Sequence, residues 1–503
     1  MNSRPRRSRR LIVALAGIAL AATACGSTVP KAQLQAALAN GAQNGGIGGP
    51  GATGGLPGTT GITTGTTGLT TGTGTGATTT GTAGGLTGNT TLGPGITATT
   101  ISIGLIHVKN SGAGNAALGA SGAETDDQTP YNIVIKDINS HGGIGGRKIV
   151  PVTAVVDTTS SQTIDQQAQA ACATWTQDHK VFAIFGGFQG GITQECTEKE
   201  HAVNLVVAGA SVPDDFRRYP HYLEISGMNL VRQGPVTVKG IATQGYFNGS
   251  PKLGIITWDD PSFREAVSTG YIPQLKHIGV TPATTTAYIH PPQTFNDLGG
   301  MNSDINSAVL RFSGQGIDHV MIVDGASGIC AGACLGFEFL NQAKSQDYHP
   351  RYGFNDYNYA DTSVDNLYPH EQLPGSVAVI WSDDNASHDV QGHPNKARES
   401  CYALMHHYGF DYDATNDNQT FAIRNACELF WFLRDVVKKM GNATLNNDNF
   451  MTEVGQMGTS FESLDTYVSH LSPSQHDGAS AARNEAYFES CTCYKFTSDP
   501  YEA

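Results

Sequence analysis

The sequence predicts an α/β protein made of two doubly wound lobes, and three observations carry the prediction. A βαβ unit occupies residues 101–156 and two further αβ steps follow it. A second α/β series starts afresh near residue 252. Outside its low-complexity amino-terminal part the chain has about 400 residues, too many for one hydrophobic core and comfortable for two.

The first lobe opens with strand 101–108. A helix follows whose apolar positions are Tyr131, Ile133, Val134 and Ile138, at helical spacing. The run Asp137-Ile-Asn-Ser-His-Gly-Gly-Ile-Gly-Gly-Arg-Lys-Ile149 closes that helix and opens strand 148–156. Gly142 and Gly143 can take the left-handed conformations that end helices, and Gly145–Gly146 turn the chain into the strand. Strands 181–186 and 204–209 complete the series, which leaves through residues 219–228. The second series has strands 252–258, 284–289, 318–323 and 351–354, with helices starting near Phe263, Asp297 and Ala333. Leu253, Ile255 and Ile256 form the apolar run of a buried parallel strand. Strand 376–381 then leads to helices 395–408, 419–440 and 447–458, and residues 486–497 read as a closing strand.

The amino terminus has a basic start (Arg4, Arg6, Arg7, Arg9, Arg10) and an apolar core over residues 11–22, too short to span a bilayer. Ala22-Thr23-Ala24-Cys25 is similar to a bacterial lipobox, which implies cleavage before Cys25 and lipid on its sulfur. Ser8-Arg9-Arg10 hints at twin-arginine export. From Lys31 to Lys109 no Asp, Glu, Lys or Arg intervenes, and residues 40–97 are mostly Gly and Thr. Such a segment buries too little apolar surface to offset chain entropy, so residues 26–97 are expected to be a disordered tether. A flexible coil of about 70 residues has a typical span of about 45 Å.

A net charge of −14 argues against nucleic acid and against a basic membrane-binding surface. Setting Cys25 aside, eight of the nine cysteines remain, and an even number in an exported chain reads as disulfides. In a doubly wound sheet with right-handed crossovers, the helices after strands two and three lie side by side. Cys172 is late on the first and Cys196 early on the second, which predicts a bond between them. Cys401 and Cys427 fall on successive helices by similar logic. Cys330, Cys334, Cys491 and Cys493 could pair internally or with one another, with a four-cysteine zinc site as the rival reading. His406–His407, His388 and His393 read as solvated or capping residues. No G-x-S-x-G elbow, H-E-x-x-H helix or P-loop occurs in the folded region, so neither an enzyme nor a cofactor is expected.

The run Ile138–Asn139 followed by Gly142 to Lys148, set in this order of strands and helices, resembles the type 1 periplasmic binding proteins, in particular the leucine/isoleucine/valine-binding branch that serves ABC importers. The resemblance implies two Rossmann-like doubly wound lobes joined by a three-strand hinge (the periplasmic binding protein-like I fold), with a ligand cleft between the lobes. The implied layout is a signal over 1–25, the tether over 26–97, lobe one over 98–226 and 356–470, and lobe two over 229–355 and 471–503. Ligands of open parallel sheets bind at strand carboxyl ends, which makes the loops there the candidates. In lobe one these loops carry Ser111 and Leu118, then Phe188, Gln189, Gly190 and Thr193, then Gly209, Ala210 and Ser211. In the family the last two loops hold the ligand's carboxylate and help bind its amine; Gly190 stands where a hydroxyl-bearing residue is usual. In lobe two they carry Asp259 and Phe263, Asp324 and Ser327, and Asp356 and Tyr357. Asp356 is the candidate for an ammonium group. Phe263 and Arg264 replace the usual Tyr and Gly, and neither Ser111 to Gly119 nor Asp324 to Ser327 offers the frequent aromatic, so a branched-chain amino acid does not follow from the resemblance. The expectation is a lipid-anchored solute-binding protein on the outer face of the cytoplasmic membrane, delivering a small polar organic ligand to an ABC permease. A ligand-sensing receptor ectodomain acting through a protein partner is the alternative.

Overall fold

The computed structural model describes residues 91–117, 124–188, 191–382, 395–413 and 417–503. The expected signal segment and tether, up to residue 90 and including Cys25, lie outside the described residues, as do Leu118, Gln189 and Gly190.

The first sheet contains β1 (Thr100–Lys109), β2 (Lys148–Asp157), β3 (Ala183–Phe185), β4 (Val203–Val206) and β5 (Tyr222–Glu224), in the order β2-β1-β3-β4-β5. All four pairings are parallel. The glycine run does what its composition requires. Gly143 N–H donates to Ile138 O at 2.9 Å, ending the helix Gln128–Ser140, and a Cβ at Gly143 would collide with the Arg147 carbonyl. Asn139 then ties the helix end to β2, donating to Ile149 O at 2.9 Å and accepting from Ile149 N at 2.7 Å. On one face of the sheet the helices Gln128–Ser140 and Asp417–Met440 pack side by side, with the Phe430 ring 4.8 Å from Phe185 and 6.2 Å from Tyr131. On the other face Trp175 lies fully buried over Gly104, where a Cβ would stand 2.9 Å from the indole.

The second sheet contains β6 (Leu253–Trp258), β7 (Ala287–Ile289), β8 (His319–Val323), β9 (Arg351–Phe354), β10 (Val377–Ile380), β11 (Ala481–Phe488), β12 (Cys493–Phe496) and β13 (Tyr501–Glu502). Its order is β7-β6-β8-β9-β10-β11-β12, with β13 also on β11. The first five strands are parallel and repeat the plan of the first sheet; β11, β12 and β13 are antiparallel additions.

Two expectations are corrected. The resemblance returns the chain to lobe one from residue 356, but β10 is hydrogen-bonded between β9 and β11, so the chain leaves the second sheet only after Ile380. Its apolar run Val377–Ile380 is buried on both sides, as a central strand demands. The closing strand is a hairpin, β11 and β12, with Cys491 in its turn and Cys493 opening β12.

Disulfides join Cys172–Cys196 and Cys401–Cys427, with Cα separations of 6.4 and 6.1 Å, as the helix placement predicts. Cys330–Cys334 and Cys491–Cys493 pair internally, which uses the thiolates a zinc site would need. Among the described residues no helix is long and apolar enough to cross a membrane.

Candidate ligand-binding cleft

Parallel strands deliver their carboxyl ends to one edge, and the loops at those edges of the two sheets touch. Tyr357 Oη, after β9, donates to Gly209 O, after β4, at 2.7 Å. Ile164 N, after β2, donates to Gln293 O, after β7, at 3.4 Å. Gly114, after β1, faces Phe295 of that same lobe-two loop. The seam so formed is the candidate cleft.

Its best-defined wall is Gly209-Ala210-Ser211-Val212. Val212 is buried in the second lobe's core, and Ala208 and Ala210 pack against it. Beneath Gly209 lies Glu224, the last residue of β5, completely buried. Tyr222 Oη donates to Glu224 Oε1 at 2.8 Å, and a Cβ on Gly209 would meet both groups. Ser211 hydrogen-bonds the Glu224 carboxylate through both its side chain and its amide, whereas Thr193 Oγ1, Gln194 Oε1 and the two amide atoms of Asn204 make no hydrogen bond. All these residues belong to β4, β5 or the loops and helix beside them. Burial pushes the Glu224 carboxyl up to about 7, with the charge of Asp477 adding to it.

Of the residues expected at the site, Gly209, Ala210, Ser211 and Tyr357 come together at this wall, while Thr193 lies beside Asn204 under Gly187. Others serve the scaffold. Phe188 is buried in a core cluster with Trp175 and Ile184. Ser111 Oγ accepts from Thr125 N at 3.0 Å, while the Ser111 and Gly112 amides donate to Glu124 at 3.0 and 2.8 Å, so the chain caps its own helix there. Asp259 is held by Arg264 Nε at 2.6 Å, which keeps its carboxyl below the usual range. Phe263 is a core residue under Gly325. Asp324, fully buried, accepts from Trp258 Nε1, Gly325 N, Leu335 N and Gly336 N at 2.8–3.1 Å and so caps the helix Cys334–Ser345; burial raises its pKa to about 6. Ser327 pairs with Cys330 in the same loop. Asp356 Oδ1 accepts from Trp381 N and Ser382 N at 3.1 Å and from Ser382 Oγ at 2.7 Å, anchoring the chain where it leaves β10.

Behind the seam run three passages between the sheets. Residues 225–229 lead out of β5, Trp381–Ser382 lead out of β10, and residues 466–480 lead into β11. Ser382 bridges Thr466, Glu224 bridges Asp477, and Ala479 N donates to Gly227 O at 2.9 Å. Asp477 ties the first passage to the third, accepting from Asn229 N and Nδ2 at 3.0 Å and from Arg232. At the lobe-one end Glu428 accepts from Ser226, from Ser463 Oγ at 2.7 Å and from Leu464 N at 2.7 Å, and burial raises its carboxyl to about 8. The sequence reading missed Glu224, Asp477 and Glu428; the acid in the otherwise apolar run Tyr222–Ile225 was the signal available for the first.

A family model described as periplasmic binding protein matches residues 100–468. The chain belongs to that family. Solved periplasmic binding proteins share its fold. An ABC transporter substrate-binding protein from Desulfitobacterium hafniense in complex with Leu superposes with a TM-score of 0.52 at 14% identity, covering 79% of this chain and 99% of that one. A fatty acid ABC transporter substrate-binding protein from Thermomonospora curvata gives 0.57 at 14% identity, covering 82% and 95%. A branched chain amino acid ABC transporter protein from Thermus thermophilus with bound valine gives 0.57 at 12%, covering 80% and 96%. No curated protein matches the sequence. The family is solute-binding and works outside the cytoplasm.

Proposed function

We propose that this periplasmic binding protein closes its lobes on a small polar organic solute, an amino acid or amide-like molecule, and delivers it to an ABC permease from a lipid anchor at Cys25. The observation that carries the reading is the wall at Gly209–Ser211. Native structures leave few buried polar atoms without partners, and each costs about 1–3 kcal/mol. Four such atoms, on Thr193, Gln194 and Asn204, lie on or beside β4, next to the buried Ser211–Glu224 pair. A polar guest entering the seam would give them partners, so binding and closure would reinforce each other. Tyr357 already makes one lobe-to-lobe hydrogen bond there and would help hold the closed form.

Thermal unfolding of the exported domain with L-leucine, L-valine, glutamine, short peptides, sugars and a medium-chain fatty acid tests this. A ligand at about 1,000 times its dissociation constant stabilises by roughly 4 kcal/mol. Stabilisation by a polar member of the panel supports the reading. Stabilisation by the fatty acid alone refutes the polar solute, and a blank across the panel moves the function to a protein partner.

A further inference from the structure

Three of the four disulfides are buried in the lobes. Cys401 and Cys427 are completely covered, Cys172 is 1% exposed with Cys196 half-buried, and Cys330 and Cys334 are 2% and 8% exposed. The fourth has an exposed cysteine, which none of the others has. Cys491 is exposed, while its partner Cys493 is buried at the start of β12. The two are separated by 2 in sequence, against 4 for Cys330–Cys334 and 24 and 26 for the longer bridges. Loop-closure stabilisation grows with the length of chain enclosed, so this bond contributes least to the fold.

The hairpin does not need it. β11 and β12 are paired from Phe488↔Cys493 to Glu485↔Phe496, and Tyr494 is anchored in the core with its Oη 2.6 Å from Ser376 Oγ. Thr492, the residue inside the ring, is exposed and sits at φ +52°, a left-handed conformation that a β-branched side chain disfavours. Exposed or strained disulfides are the labile ones, whereas buried structural ones resist reduction.

We propose that Cys491–Cys493 is a thiol–disulfide exchange site open to an external dithiol. A thiolate of the dithiol attacks the exposed Cys491 Sγ; the bond between the two protein sulfurs breaks and its electron pair leaves on Cys493 Sγ, which takes up a proton. The second thiolate of the dithiol then attacks its own sulfur in the mixed disulfide and releases Cys491 as a thiolate. The dithiol is oxidised to a disulfide by two electrons and the protein cystine becomes two thiols, with the hairpin held throughout by its ladder and by Tyr494.

The test is limited reduction of the native protein with dithiothreitol, trapping with iodoacetamide and peptide mass mapping over time. Cys491 and Cys493 should label at least about tenfold faster than the other six cysteines, and oxidised dithiothreitol should restore the bond. Labelling of all eight cysteines in one step, or of Cys330 and Cys334 first, would overturn the proposal. The double variant Cys491→Ser/Cys493→Ser separates exchange from stapling: it should unfold within a few degrees of the parent, and its failure to fold would make the bond structural and end the argument.

Discussion

Asp356 gives the sharpest test of how acids near the seam are used. The structure spends its Oδ1 on Trp381 N, Ser382 N and Ser382 Oγ, at 2.7–3.1 Å, in a site 5% exposed. Asp356→Ala leaves one buried and one half-buried backbone amide, together with the Ser382 hydroxyl, without an acceptor. At about 1–3 kcal/mol for each orphaned donor, the loss is near 4 kcal/mol. Asp356→Asn keeps an oxygen in the same place and gives up only the charge assistance, a cost of about 1–2 kcal/mol. Urea unfolding of both variants, with calorimetric titration of whichever solute the panel identifies, reads the two quantities separately. Anchoring predicts that Asn restores most of the stability lost in Ala and keeps affinity within about threefold of the parent. An Asn variant that is stable yet loses affinity more than about tenfold would refute the reasoning and return Asp356 to an ammonium group.

Other predictions follow from the same wall and hinge. Tyr357→Phe removes the bond to Gly209 O, worth about 1 kcal/mol, and should shift the ligand-free protein toward the open form; small-angle scattering reads this as a larger radius of gyration, and an unchanged curve defeats it. Gly209→Ala puts a methyl into Tyr222 Oη and Glu224 Oε1 and should destabilise by about 1–3 kcal/mol with loss of affinity, seen by unfolding and titration. Glu224 has its folded-state pKa raised from 4.5 to about 7, so the folded protein keeps a proton the unfolded chain has lost. Its contribution is therefore greatest below about pH 4.5 and declines as pH rises through about 7. Glu224→Gln should thus gain on the parent by up to about 3 kcal/mol between about pH 5 and pH 8 in urea unfolding; a flat difference would contradict the burial of this acid. Removing Cys401–Cys427, a separation of 26, should cost about 3.5 kcal/mol in the same assay, and a cost below about 1 kcal/mol would show that the loop it closes is already ordered when unfolded.

The parts of the fold legible in the sequence were those governed by local chemistry. The Gly142–Lys148 turn announced a βαβ unit because few residues tolerate φ of +96° and +80° in succession, and the helix positions of Cys172 and Cys196 followed from the handedness of crossovers. The return of the chain to lobe one was not legible. Val377–Ile380 is an apolar run that either sheet could have taken, and its partner β11 lies about a hundred residues further on. The candidate site was read at the level of loops. Loop position follows from strand order, but whether an aspartate faces a ligand or a neighbouring amide depends on contacts made at long range. Asp324 meets Leu335 and Gly336 through a helix whose start the sequence did place, near Ala333; Asp356 meets Trp381 through the unexpected course of β10.

The split layout of the first lobe has a consequence for how the protein is made. Its five strands are complete by Glu224, yet the helix Asp417–Met440, which brings Phe430 against Phe185 and Tyr131, comes only after the whole parallel part of the other sheet. At translation speeds of about 5–20 residues per second, the intervening stretch takes about 10–40 s to emerge. For that time one face of the sheet can be clad early, by the helices that Cys172 and Cys196 join, while the opposite face is covered only by the helix Gln128–Ser140. Isoleucines and phenylalanines on a half-covered sheet invite pairing with other nascent chains, so this topology needs a holding partner, or slow compaction, before residue 440 arrives.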